Sequence, residues 1–392
     1  MARAYFTPYG VGLGHASRLV TIASRLNSYD HDVSLKFSSY GEAASYIEMH
    51  GFKCNSVPPV ELVWSGEGGF SIKNSLGNVP SWFTNFMRQV NSEIGNLASF
   101  SPNVVVSDSR LSPIVAARML GIPTIVILNQ VKLLLSPRLR ELTVTRIFEK
   151  INGEFMGGLW NMSEKVLIPD LPPPYTVAEH NIWDCDSIQK KVEYVGFTTA
   201  SPDFTPERLS SIMDILGISK DKPLVFVHIS GPASTRPLLI SKILEAVRDS
   251  RADIQYIISE GRPNGQTIPT KLSNSVWYYE WCPIKDELFK ICDIIVIRGG
   301  HTAISQAIQY GKPIVTIPIR NQGEQLGNSD KVAKMGIGIK LDPIHIDAVD
   351  ISNAILEVLN NKHYFENIQK LMKVANNLDG IESVVNAIRS YF

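Results

Sequence analysis

The chain has 392 residues, 44% of them hydrophobic, which is enough to fill two or three separate cores. Thirty-eight lysines and arginines balance thirty-eight aspartates and glutamates, so a basic protein that coats nucleic acid is excluded, as is a disordered chain. The four cysteines, Cys54, Cys185, Cys282 and Cys292, lie far apart without a Cys-x-x-Cys pair, which excludes a disulfide scaffold and the usual zinc spacings. A cytoplasmic chain is the expectation. No apolar run approaches the roughly 20 residues of a membrane span; contact with the inner face of a membrane stays open.

Strand-like and helix-like runs alternate from end to end, the pattern of parallel α/β sheets. Residues 4–6 read as a strand and 15–26 as an amphipathic helix. Strand 33–37, helix 42–50 and strand 53–57 follow. Residues 64–78 are rich in glycine and serine and read as a long functional loop. A helix is expected over 81–98, a strand over 104–106 ending at Asp108, and another over 124–128 ending at Asn129. A long helix covers about 137–159. The run Pro172-Pro173-Pro174 fits neither a helix nor a central strand. After strand 192–196 the alternation restarts. Strands are expected at 224–229, 254–259, 276–279, 294–297 and 314–318, with helices at 237–248, 284–291, 302–310, 348–361, 364–376 and 381–391. This predicts two doubly wound domains, 1–180 and 203–375, a linker over 181–202, and a last helix, 376–392, returning to the first domain.

In such sheets ligands bind beyond the carboxyl ends of the strands, so the loops there matter most. The first is Gly10-Val11-Gly12-Leu13-Gly14-His15-Ala16-Ser17-Arg18. Glycines let backbone approach a ligand, and the helix that follows offers free amides. His15 fits either a helix cap or a general base, since a neutral imidazole can take a hydroxyl proton near pH 7. Phe37-Ser38-Ser39 ends the second strand where a dinucleotide ribose would want an acid, which argues against a dehydrogenase. The second loop is Ile297-Arg298-Gly299-Gly300-His301-Thr302. Its amides open a helix, where a phosphate is favoured. The third loop, 318–328, carries Arg320, Asn321, Gln322, Glu324, Gln325 and Asn328, paired donors and acceptors that suit a polyhydroxylated ligand. The Asp-x-Asp patterns at 30–32 and 184–186 read as solvated turns. No residue cluster calls for a metal, and neither a nucleophile-elbow nor a P-loop motif occurs.

Residues 298–341 resemble the donor-binding region of GT-B glycosyltransferases. They come nearest the family that includes the bacterial transferase completing lipid II and its relatives in family 28 and family 1. The resemblance rests on Arg298-Gly-Gly-His-Thr302, Gly311-Lys-Pro-Ile-Val-Thr-Ile-Pro318, Gly323-Glu-Gln325, Asn328 and Gly336. Gly10 to Arg18 resembles the acceptor-side first loop, and 122–130 the fifth-strand segment. The resemblance implies two Rossmann-like domains facing a cleft. It implies an inverting transfer of a hexosyl group from a nucleotide-diphosphate sugar, a UDP-sugar by family habit, to a hydroxyl acceptor, which a lipid could carry.

On the donor side, the resemblance puts Ser230, Gly231, Arg298, Gly299, Gly300, His301 and Thr302 at the phosphates. Trp281 and Cys282 would read the base with their backbone, Gln306 would stand at the ribose in place of the family's glutamate, and Glu324 and Gln325 would hold the sugar. On the acceptor side it puts Gly12, Gly14, Arg18, Asn129 and Gln130, with His15 as base and Asp108 as its partner. Retaining families carry two glutamates eight apart in this region, whereas only Glu324 lies between Arg298 and Leu341. No cofactor or metal is implied, and a monomer or a dimer is expected. The rival reading is a GT-B-shaped nucleotide-sugar hydrolase or epimerase, in which His15 would activate water. A basic, leucine-rich stretch, Leu133 to Leu135 with Arg138, Arg140, Arg146 and Lys150, reads as a lipid-facing patch or an ordinary solvated helix face.

Overall fold

The computed structural model describes residues 2–29, 31–59, 79–132, 142–182, 185–200, 202, 204–248, 253–262 and 264–392. It divides into two units. The first holds the described residues up to Thr199 together with Leu378–Phe392; the second holds Ala200–Asn377. The expected loop at 64–78, the Leu133 to Leu135 run, Arg138 and Arg140 lie outside the described residues, as do Asp30 and Asp184 of the two Asp-x-Asp patterns.

Unit 1 is built on a seven-stranded sheet of order β3-β2-β1-β4-β5-β6-β7, formed by β1 (Arg3–Pro8), β2 (Ser34–Ser39), β3 (Cys54–Ser56), β4 (Val104–Asp108), β5 (Thr124–Ile127), β6 (Lys165–Ile168) and β7 (Val192–Tyr194). Every neighbouring pair is parallel. Parallel strands are covered on both faces. That is why Val104, Val105 and Val106 form an unbroken apolar run and are all buried. Helices α1 (Gly14–Tyr29) and α2 (Gly41–Met49) cover one face. On α1 the fully buried Leu19, Ile22, Ala23 and Leu26 recur at helical spacing, each large one contributing about 1.5–3 kcal/mol of burial. Helices α3 (Val79–Phe100), α4 (Ser112–Met119) and α5 (Thr143–Trp160) cover the other face.

The boundary between the units, Thr199/Ala200, falls inside the predicted linker, near its end. Residues 169–199 build α6 (Glu179–Ile182), α7 (Asp186–Gln189) and β7 onto the first sheet. The proline run is held by buried Asp170, whose carboxylate accepts from the amides of Leu171, Val177 and Ala178 at 2.7, 3.1 and 2.8 Å. No helix or ladder is needed there, because one side chain takes up the amides that the prolines leave without a regular partner. Strand β6, four residues long, was not read from the sequence.

Unit 2 opens with α8 (Pro206–Leu216) and has a second seven-stranded sheet, order β10-β11-β9-β8-β12-β13-β14. Its strands are β8 (Leu224–His228), β9 (Gln255–Ser259), β10 (Thr270–Ser273), β11 (Val276–Tyr279), β12 (Ile294–Ile297), β13 (Ile314–Thr316) and β14 (Gly338–Lys340). Only the edge pair β10–β11 is antiparallel. Strand β10 is exposed at every residue, so it carries no hydrophobic signal to read. The helices include α9 (Arg236–Arg248), α10 (Lys285–Ile291), α11 (His301–Gln309), α12 (Gly323–Lys334), α13 (Ala348–Asn360) and α14 (Lys362–Ala375). The last helix, α15 (Gly380–Arg389), joins the first unit's core through Val384, Val385 and Ile388. Its first turn packs so tightly that a Cβ on Gly380 would meet the Gly196 carbonyl at 2.4 Å.

Candidate active site

Both sheets reverse their strand order at one place: between β1 and β4 in unit 1, and between β8 and β12 in unit 2. Loops leaving the carboxyl ends of strands diverge at such switch points and leave room for a ligand. The strongest sequence candidates lie at these two points.

At the first, Asp108 is the last residue of β4 and pairs in register with Pro8 at the end of β1. The turn after β1 brings His15 into the first turn of α1. His15 Nδ1 lies 2.7 Å from Asp108 Oδ1, joining residues 93 apart in sequence. Asp108 is fully buried, while His15 keeps 22% of its side chain exposed. With Nδ1–H donating to Asp108, Nε2 carries the lone pair. Burial pushes the Asp108 carboxyl up, but Arg18 and then His15 outweigh it and hold the group below the ordinary carboxylate range.

Arg18, expected on the acceptor side, pairs with Asp108. It is buried, with Nε 3.1 Å from Asp108 Oδ2. Its Nη1 is buried without a hydrogen-bond partner. The sequence reading also passed over Tyr9 and Tyr40. Tyr9 packs edge-on against both His15 (5.8 Å) and Tyr40 (5.9 Å), walling one side of the imidazole. Below them, buried Glu93 pairs with Arg110, and Arg110 donates to the Ser38 carbonyl at 2.7 Å. This brace fixes the chain two residues beyond Asp108. Gly12 has φ +75°, with nothing within 4 Å of an added Cβ, so only backbone conformation demands glycine there. Asn129 is buried just past β5, and Gln130 donates to the nearby Lys132 carbonyl at 3.0 Å. The amide nitrogen of Gln130 is thus turned into its own loop.

At the second switch point, β8 ends in His228 and leads to Ser230 and Gly231, while β12 leads to Arg298-Gly299-Gly300 and α11. Gly299 has φ +82°, and a Cβ on it would meet Ser329 Oγ at 2.5 Å. Gly300 is the N-cap of α11, and nothing stands within 4 Å of a Cβ placed on it. The two glycines therefore do different work: the first allows close packing, the second leaves open space over a helix N-terminus. Arg298 is 5% exposed and donates to the Thr235 carbonyl at 3.0 Å. Its Nε is buried without a hydrogen-bond partner. Burial, then neighbouring Arg236, push its pKa down to about 10. Arg236, which sequence reasoning missed, donates to the Gly231 carbonyl at 2.7 Å. Arg298 thus ties the glycine turn to the segment after β8, and Arg236 closes that segment on itself.

The third loop is partly helix. Glu324 and Gln325 stand in the first turn of α12, and Asn328 lies within it. The loop reading failed because 318–328 is polar, yet Gln325, Asn328 and Ser329 are buried. Gln325 Oε1 accepts from the Ile319 amide at 2.9 Å, so that oxygen braces the loop. Asn328 donates to the Gly299 carbonyl at 3.2 Å, tying α12 to the glycine turn. Glu324 stays half-exposed. The Trp281 amide, expected at the base, donates to the Gln266 carbonyl at 3.1 Å, and burial pushes the Cys282 thiol up to about 12. Buried Gln306 donates through Nε2 to Asp286 on α10, so a carboxylate does stand beside the position where the family's glutamate is absent.

The comparisons with known proteins follow the same division. Residues 2–141 match the family described as glycosyl transferase family 1, and residues 243–379 match UDP-glucoronosyl and UDP-glucosyl transferase. Similar proteins along nearly the whole chain include an uncharacterized glycosyltransferase of Methanosarcina mazei, 26% identical over 376 residues and covering 96% of this chain and 94% of that one. Another, of Methanosarcina acetivorans, is 27% identical over 379 residues, with 96% and 94% covered. Among solved structures, the spinosyn rhamnosyltransferase SpnG in complex with thymidine diphosphate has a TM-score of 0.68 at 14% identity, covering 99% of this chain and all of that one. The glycosyltransferase SsfS6 of Streptomyces sp. SF2575, also with thymidine diphosphate, has a TM-score of 0.65 at 16% identity, with all of both chains covered. The chain is a glycosyltransferase of the GT-B fold. Each half resembles the family whose model it matches. The two switch-point sites of the transferase fall one in each matched or adjoining half.

Proposed function

We propose that this glycosyltransferase inverts: it moves a hexosyl group from a UDP-sugar to a hydroxyl acceptor by a single displacement, with His15 as general base. The observation that carries the reading is the 2.7 Å contact of His15 Nδ1 with buried Asp108 at the β1/β4 switch point. His15 Nε2 takes the proton of the acceptor hydroxyl, and the oxygen attacks the anomeric carbon. The bond from that carbon to the diphosphate oxygen breaks, and the electron pair leaves with the diphosphate. Asp108 holds the tautomer and stabilises the imidazolium that forms, a role for which its lowered pKa suits it. Arg18 keeps Asp108 ionised.

Unit 2 supplies the donor site in this reading. The amides at the start of α11 and the Arg298 guanidinium receive the charge that grows on the leaving diphosphate. The open space at Gly300 supports this placement. The exposed Arg146 and Lys150 on α5 support a lipid-linked acceptor.

The test is a pair of assays on His15→Ala. Transfer to an alcohol acceptor should fall by about 10²–10⁴ while UDP binding is unchanged. Unchanged transfer would remove His15 as base. Release of free sugar at the same rate with and without acceptor would mean that water is the true acceptor.

A further inference from the structure

Helix α5 packs on unit 1 through Glu149, Gly153, Gly157 and Trp160. Its opposite side carries Val144, Ile147, Phe148, Ile151 and Phe155, each between 47% and 77% exposed. These positions recur every three or four residues and form one apolar stripe about three turns long. Leu142, just before the helix, is also exposed. An apolar stripe of this length turned to solvent costs solubility, and such patches mark interaction surfaces.

The charges around the stripe say what kind of surface it meets. Helices α3, α4 and α5 form one layer on the same side of the first sheet, as the packing of Tyr5, Val105 and Val126 shows. In this layer Arg88, Arg118, Arg146 and Lys150 are exposed. Of the carboxylates, Glu93 and Glu149 are buried, and Glu154 accepts from the amides of Asp186 and Ser187 at 2.8 and 3.0 Å. Among the described residues of these three helices, the exposed charges are thus cationic. The first turns of α3 and α5 both lie at the carboxyl edge of the sheet, since each helix leads into the start of the next strand. Phe83 and Met87, near the start of α3, are exposed as well. A second copy of this chain would bring like charge against like charge across such a face. An anionic bilayer supplies both the apolar interior and the opposite charge.

We propose that the outer face of α5, with the start of α3, docks on an anionic lipid surface. Binding is read without donor or acceptor, so the test stands apart from the proposed chemistry. The full chain is sedimented with phosphatidylcholine vesicles and with vesicles that also contain phosphatidylglycerol. Binding to the anionic vesicles is expected, weakening as salt rises. Arg146→Gln/Lys150→Gln should weaken it by about fivefold per cation. Phe148→Ser/Phe155→Ser should weaken it at least tenfold with an unchanged Tm, because both rings are already in solvent. A chain that stays in the supernatant with both vesicles overturns the proposal, as does equal binding to both. A dimer in light scattering that Phe148→Ser/Phe155→Ser dissociates, with no vesicle binding, would assign the face to a second copy instead.

Discussion

At the switch point of the first sheet, a buried carboxylate lies between an imidazole and a guanidinium. At that of the second sheet, a buried guanidinium has no carboxylate paired with it among the described residues. The backbone geometry is alike in both: parallel strands, a glycine turn, the first turn of a helix. The side-chain chemistry is opposite. The first arrangement is internally neutral and presents one imidazole nitrogen, which suits moving a proton. The second is left short of negative charge, which suits holding a phosphate. The fold thus supplies the same opening twice, and a few side chains divide the labour between them.

Substitutions can break this division at either end. The largest effect is expected from His15→Ala, with kcat down by about 10²–10⁴ and nucleotide affinity unmoved. Asp108→Asn should lower kcat by about 10² through loss of the held tautomer. It should also change the acid response. Asp108 has a folded pKa below its unfolded one, so its contribution to stability is present above the ordinary carboxylate range and lost as pH falls through the folded value. Thermal melts of the wild type should lose Tm in that window, and those of Asp108→Asn should lose less.

In unit 2, Arg298→Gln should weaken UDP binding about ten- to a hundredfold, the range of a charge-assisted hydrogen bond, without touching the His15 chemistry. An effect on stability alone belongs to His228. Burial, then Lys285, push its pKa down to about 3, so the folded state refuses a proton that the unfolded state accepts from about pH 6.5 downward. Stability should fall on acidification between those values, by up to about 1.4 kcal/mol per pH unit. His228→Phe should flatten that slope. The two sites would then show separate pH windows, the first site's lying lower.

How much of this was legible follows from how local each feature is. The glycine turns, His15 and the end of β4 are short contiguous signals, and each landed at a switch point. Asp108 was readable as a strand end, and its pairing with His15 came only with the family resemblance. The pairing of Arg18 was not legible because its partner lies 90 positions away, and nothing near it shows that it is buried. Arg236 went unnoticed because a helix-start arginine looks like any solvated one until the β8 carbonyl it holds is known. Gln325 and Asn328 read as loop residues because buried polar groups that brace backbone resemble exposed ones in sequence. Strand β10, polar throughout, has no periodic signal at all.

The measurement closest to the central claim is the calorimetric titration of UDP into the wild type, His15→Ala and Gly300→Trp. Nothing lies within 4 Å of a Cβ at Gly300, so the start of the indole enters open space and not the protein's own packing. The division of labour predicts wild-type affinity for His15→Ala and loss of binding for Gly300→Trp. Binding that survives in Gly300→Trp and fails in His15→Ala would contradict it.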